Sequence, residues 1–206
     1  MTDTLVLHEY AASGNCYKVR LTAALLGIPI ERREYDILKG ETRTPEFLQN
    51  VNANGRIPVL QVGERFIPES NAASYFLAEA SRLLPTDPFD HADMLRWMFW
   101  EQYNHEPNIA TLRFWLHEIG ADNLTDAQRL QLPVKREAGN AALKLMDDHL
   151  SRNEWFVADH ISLADISLFA YTHVAGDAEF RLGAYRHVSS WIERVEAEPN
   201  YIPISA

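Results

Sequence analysis

The chain has 206 residues, 47% of them hydrophobic, with a formal net charge of -10 at pH 7; that is enough for one large domain or two small ones with real cores. The negative balance argues against non-specific attachment to DNA or anionic lipid, whose phosphates would repel it. A single cysteine rules out an internal disulfide, and no apolar run approaches the ~20 residues of a membrane span.

The first eighty residues read as alternating strand and helix. Residues 4–10, TLVLHEY, alternate and are rich in strand formers. Residues 15–27 carry Val19, Ala23 and Leu26 at helical spacing and stop at Gly27 before Pro29. A second alternating stretch covers 30–37, and 44–51 predicts a short helix with Pro45 in its first turn. Residues 56–67 read as two short strands around Gly63-Glu64, and 69–84 as a helix. The order β-α-β-α-β-β-α predicts a mixed sheet with helices on both faces.

After the Pro- and Asp-rich connector PTDPFDHAD (85–93) no strand signal recurs. Helical periodicity runs through 91–120, 125–153, 162–175 and 185–198. One start signal is sharp: Ser162 is placed as N-cap, Asp165 three residues on can return a hydrogen bond, and Ile161 and Ile166 occupy the staple positions. This is a folding device. No cationic leader precedes the first strand, so a cytoplasmic chain without a signal peptide is expected.

Three short stretches carry the candidate chemistry. In NANGRIPVL a proline opens a strand, which is tolerable only at an edge or in unusual bond geometry. A cis Ile57-Pro58 bond before the last hairpin would turn the Ile57 N–H and C=O away from the ladder, toward an extended peptide. In PESNAAS, Glu69 and Ser70 directly precede a helix. Ser70 either caps that helix or joins its N-terminus in binding a carboxylate, while Glu69 suits an ammonium group. Side by side the two describe an α-amino acid recognition point. In SGNCYK, Ser13, Asn15 and Cys16 lie at a helix start. Cys16 would sit a turn inside, where a small buried hydrophobe is the usual fate of a free cysteine. Ser13 is either a further cap or a hydroxyl donor to an anion.

Taken together, SGNCYKVRLTAALLGIPIE, NANGRIPVL, ESNAASYFLAE and ISLADISLFAY resemble, in order and spacing, the signatures of the cytosolic glutathione transferases, over essentially the whole chain. The resemblance implies an α/β plus all-α fold: a thioredoxin-like glutathione-binding domain over 1–82, a linker over 83–90, and an all-helical domain over 91–206 supplying most of the second-substrate pocket. It implies that Ile57 pairs through its backbone with the cysteinyl part of glutathione, with Pro58 cis. Glu69 and Ser70 would hold the γ-glutamyl end, and Arg56 would reach the glycine carboxylate. Ser13 matches the activating serine of theta- and zeta-like classes. Asn15 stands where beta-class enzymes carry a cysteine and nu-like ones an asparagine. The redox pair of the thioredoxin fold reads Ser13-x-x-Cys16 here, so a dithiol cycle through Cys16, as in a glutaredoxin-like thiol transferase, lacks its outer cysteine.

The chemistry required of such a site is to hold a thiolate. A thiol of pKa ~8.5 is only about 3% ionised at pH 7, and lowering it by ~2 units, at ~2.7 kcal/mol, makes it roughly three-quarters ionised. A hydroxyl donor contributes about 1–1.5 kcal/mol toward that and a helix N-terminus ~0.3–1 kcal/mol. Ser13 and Asn15 are the expected catalytic donors. No general base is needed for attack on an electrophile, disulfide or peroxide. Glutathione is then a co-substrate, with no further cofactor and no metal expected, and His105-Glu106 lacks a second ligand pair. The aromatic run 96–115 is mostly core, with Tyr103, His105 and Arg113 as polar candidates for the pocket. A homodimer is expected from family habit, with neither nucleic acid nor membrane as partner. A fold member that binds without turnover is the alternative from a different class.

Overall fold

The computed structural model describes residues 4–206, and two compact units emerge. In the first, β1 (Leu5–Glu9), β2 (Glu31–Glu34), β3 (Val59–Val62) and β4 (Arg65–Pro68) form one sheet in the order β2-β1-β3-β4. β1 runs parallel to β2 and antiparallel to β3, which pairs with β4 as a hairpin. This is the predicted mixed sheet.

Alternation decides which side chains meet which helix. Leu5 and Leu7 of β1 and Leu60 and Val62 of β3 pack with Val19 and Ala23 of α1 (Gly14–Leu25) and Ala73 and Leu77 of α3 (Ser70–Ala78). His8, of opposite parity, is buried between Tyr35 and Gln61: its Nδ1 lies 2.8 Å from Tyr35 Oη and its Nε2 2.9 Å from Gln61 Oε1. Gln61 Oε1 can only accept, so Nε2 carries the proton and Tyr35 donates to Nδ1. Burial holds the His8 pKa below its ordinary value. Tyr35 meets Phe47 of α2 (Pro45–Asn50) edge-on at 5.0 Å, which puts α2 on this face.

The helix stop at Gly27 has a defined geometry. With φ at +63°, Gly27 donates to Ala24 O (3.0 Å) and Ile28 donates to Ala23 O (2.9 Å), and Ile28 packs against the core. This paired closure satisfies two carbonyls that the helix end leaves over. β2 is shorter than the alternating stretch 30–37, and all four of its residues are exposed. As an edge strand reading Glu-Arg-Arg-Glu it presents charge where another strand could otherwise pair.

The second unit, Leu83–Ala197, is helical throughout. Its elements are α4 (Pro88–Trp100), α5 (Glu106–Arg113), α6 (Asp126–Leu150), α7 (Leu163–Thr172) and α8 (Arg186–Glu196), with π-helical turns at Glu101–His105 and Phe114–Gly120. Much of the supposed connector is a helix start. Asp87 caps α4 by accepting from the N–H groups of Phe89 (2.8 Å) and Asp90 (3.1 Å), with Pro88 first in the helix.

The Ser162–Asp165 box at the head of α7 is present and does more than cap. Fully buried Asp165 accepts from Ser162 N and Oγ (both 2.9 Å), Phe156 N (3.1 Å) and Trp191 Nε1 (3.0 Å). It therefore ties three separate segments of this unit together. Burial raises its pKa and the four donors oppose that rise.

The domain boundaries differ from expectation at both ends of the helical domain. It begins at Leu83, and Glu198–Ala206 belong to the first unit, not to the second. Among the described residues no helix is long and apolar enough to cross a membrane.

Candidate functional site

The site is built where two helices of the first unit begin. β1 ends at Glu9, and the chain turns through residues 10–13, closed by Ser13 N donating to Tyr10 O at 2.9 Å. Ser13 is the N-cap of α1, its backbone extended at φ -75° and ψ 122° and its Oγ accepting from Cys16 N at 3.4 Å. That distance marks a weak cap, and because Ser13 Oγ accepts in it, the O–H donor is not used by the cap. The first turn of α1 holds no acidic residue, which leaves its positive end for an external anion.

Cys16 is closed to solvent. Its Sγ receives Tyr10 N–H at 3.4 Å, yet burial dominates and pushes the thiol up to about 12. Burial of this kind favours the neutral thiol over the thiolate, the form that acts as a nucleophile.

Asn15, the second residue of α1, is half-buried, and Ser70 Oγ donates to its Oδ1 at 3.3 Å. This contact bears on the two readings of Ser70. The N-cap of α3 is Glu69, not Ser70; Ser70 is the first helical residue, and its hydroxyl points to α1. The hydrogen bond also orients the Asn15 amide: with Oδ1 accepting from Ser70, the Nδ2 donors face elsewhere.

Glu69 itself carries a backbone signature that spacing could not reveal. Its φ is +72° and its ψ 118°, outside the regions L residues favour, and its side chain makes no capping bond. Such a conformation costs ~1–3 kcal/mol and persists only where surrounding structure imposes it. The side chain is exposed.

The Ile57-Pro58 bond is cis. β3 starts only at Val59, whose ladder partner is Pro68, so half-buried Ile57 stands outside the sheet pairing. Arg56 is exposed, its carbonyl held by Asn52 Nδ2 at 2.9 Å, and its guanidinium forms no ion pair among the described residues. Asn52 was not singled out from sequence. The following Asn54 N donates to Asn52 Oδ1 at 3.0 Å, an Asx turn whose signal is the Asn-x-Asn-Gly string.

The three pocket candidates of the helical unit do not come together. Tyr103 is 82% exposed, whereas His105 is fully buried with Nε2 2.8 Å from Thr172 Oγ1. Residues two apart on a helix point to nearly opposite sides, so one faces out and the other in. Arg113 is buried and engaged with Asp177 at 3.0 Å and Glu118 at 3.4 Å. His105 and Arg113 thus hold helices of this unit together and are not open to a pocket. Among the described residues no group of three or more His, Cys, Asp or Glu could hold a metal ion.

Residues 7–83 match the family described as glutathione S-transferase, N-terminal domain, and residues 115–199 match the glutathione S-transferase C-terminal domain. A glutathione S-transferase of known structure from Pseudomonas fluorescens is 40% identical, covering 98% of this chain and 99% of that one, with a TM-score of 0.91. A possible glutathione S-transferase from Rhodopseudomonas palustris is 41% identical over 98% of each chain, with a TM-score of 0.93. Glutathione S-transferase F10 of Arabidopsis thaliana is 27% identical over 196 residues, 87% of this chain and 86% of the relative. A thioredoxin-like sheet with a cis Ile-Pro bond just before β3, a separate helical unit and two family domains matched in sequence order lead to one conclusion: the chain belongs to the glutathione S-transferase family.

Proposed function

We propose that the protein is a glutathione transferase that lowers the pKa of the glutathione thiol and directs the thiolate at a small electrophile, a disulfide or a peroxide. The observation that carries this reading is the Ser70 Oγ–Asn15 Oδ1 hydrogen bond of 3.3 Å, because it joins the beginnings of α1 and α3. An α-amino acid group held at Glu69 and Ser70 and a sulfur held at Ser13 then belong to one ligand that spans two neighbouring helix N-termini.

Ser13 is the thiolate donor in this scheme. Its hydroxyl is the weakly engaged cap described above, and the α1 N-terminus adds its dipole. Asn15 shares the work differently: its oxygen accepts from Ser70 Oγ, which ties the start of α1 to the start of α3 beside the sulfur site. Ile57 offers backbone groups outside the ladder to the cysteinyl portion, and Arg56 offers a cation to the glycine carboxylate. The thiolate attacks once formed, so no side chain must remove a proton from the second substrate. A homodimer in the cytoplasm, acting in detoxification, completes the proposal on the strength of family membership.

Calorimetry with millimolar glutathione, followed by turnover of a model aryl halide and a model disulfide, tests the reading. Heat of binding with turnover that falls in Ser13→Ala supports it. Absence of heat refutes it, and binding without turnover of either substrate would leave a glutathione-binding fold member instead.

A further inference from the structure

The loop that carries Ser13 is held from behind by a buried charge cluster that the transferase chemistry leaves unexplained. Glu9, at the end of β1, has no exposure, and Arg20, midway along α1, is also buried. Glu9 Oε2 lies 3.1 Å from Arg20 Nε, and its Oε1 accepts from Arg32 of β2. Taking a carboxylate and a guanidinium out of water carries a penalty of several kcal/mol per ion, so such a pair is weak evidence of stabilisation by itself.

The remaining Arg20 donors show where the specificity lies. Nη2 donates to Ala11 O at 2.7 Å and to Ile204 O at 2.9 Å, while Nη1 donates to Ala206 O at 2.7 Å. One rigid planar fork therefore grips the β1–α1 loop and the segment 202–206 at once. A lysine could neutralise Glu9 but has no such fork. The same segment is fastened again by Tyr17 Oη to Ile202 O at 2.6 Å and by Arg32 Nη1 to Ala206 O at 2.7 Å. On its other side the loop's Ala11 N–H reaches Glu34 Oε1 at 3.3 Å. Both backbone polar groups of Ala11 are thus pinned, two residues before Ser13.

We infer that Arg20, clamped by the main-chain oxygens of Ile204 and Ala206, is a positioning residue that fixes the β1–α1 loop so that the Ser13 hydroxyl meets the glutathione sulfur. The inference rests on the proposed role of Ser13. A donor contributes to an anion only while it is held in place, because the gain from a preorganised dipole is lost if the loop must reorganise. Residues 204–206 thereby act on the ionisation of the thiol without touching it.

The test is a pH titration of the ultraviolet absorbance of the thiolate of bound glutathione, at saturating glutathione, in the full chain, in Arg20→Lys and in a variant lacking residues 204–206. Far-ultraviolet circular dichroism identical to that of the parent sets the temperature. Loss of one well-placed charge-assisted hydrogen bond predicts about a tenfold fall in the thiol ionisation constant for Arg20→Lys, with the glutathione Kd changed less than about threefold. A smaller fall in the same direction is expected for the deletion, which leaves the Glu9–Arg20 pair intact. A purely structural role would lower the melting temperature and leave the ionisation constant alone. If Arg20→Lys does not fold, the deletion variant decides. Wild-type ionisation in the deletion variant overturns the inference. Should the parent protein itself fail to ionise bound glutathione at neutral pH, the proposed function falls as well, so the two failures are distinguishable.

Discussion

Replacing Ser70 by alanine separates a recognition residue from a helix cap. In the structure the cap position of α3 belongs to Glu69, so truncating Ser70 removes no capping interaction. What the free protein loses is one neutral hydrogen bond of 3.3 Å to half-buried Asn15. A bond of that length stands at the weak end of the range, ~0.5–1 kcal/mol, and the vacated space is one oxygen atom. The ligand loses more: a hydroxyl donor to a charged carboxylate is worth ~1.5–3 kcal/mol, or roughly 10- to 150-fold in Kd. Urea denaturation with an unchanged m-value reads the first quantity, and calorimetry with glutathione reads the second. Running Asn15→Ala and the double variant closes a cycle whose coupling energy should be about 0.5–1 kcal/mol in stability. A stability loss above ~2 kcal/mol with a Kd altered less than twofold would refute the reasoning and make Ser70 a structural residue.

Three further outcomes follow from the structure. Cys16, buried and with its thiol pushed up to about 12, should resist alkylation in the native protein and react at once in denaturant; rapid native labelling would contradict its burial. Asp165→Ala strands the four donors of Ser162, Phe156 and Trp191 and should destabilise the protein by at least ~3 kcal/mol in thermal or chemical melts. A loss below ~1 kcal/mol would show that the box is dispensable. His173 is held at a pKa of about 4, first by burial and then by Arg113, against hydrogen bonding to Phe169 O and the Asp177 charge. The folded form therefore resists a proton that the unfolded chain accepts at its ordinary pKa. Its contribution is full above the unfolded value of 6.5 and is lost as pH falls toward 4, by up to about 3 kcal/mol. His173→Gln should flatten that acid limb, and an unchanged limb would assign it to other groups such as His8 and His149, which burial also holds low.

Whatever depends on neighbours within a few residues was legible in the sequence. Strand alternation, the stop at Gly27 and the Ser162–Asp165 box are local, since a period of two, a left-handed closing residue and a cap act on the chain's own backbone. The order of elements then restricted the sheet to a mixed arrangement, and β2-β1-β3-β4 is its outcome. Local rules failed where an outcome depends on a partner far away. Ser70 sits beside Asn15 across 55 positions, and Arg20 meets main-chain oxygens 184 and 186 residues further on. The same limit moved Glu198–Ala206 out of the helical domain and turned His105 and Arg113 inward. Periodicity states that a residue is helical, while packing alone selects the side of the helix that is buried. The sequence by itself determined a thioredoxin-like half and a helical half, and it pointed to a buried place for Cys16, where the structure puts it. Only tertiary structure decided which polar side chains meet, because those meetings join segments whose separation along the chain carries no record of their distance in space.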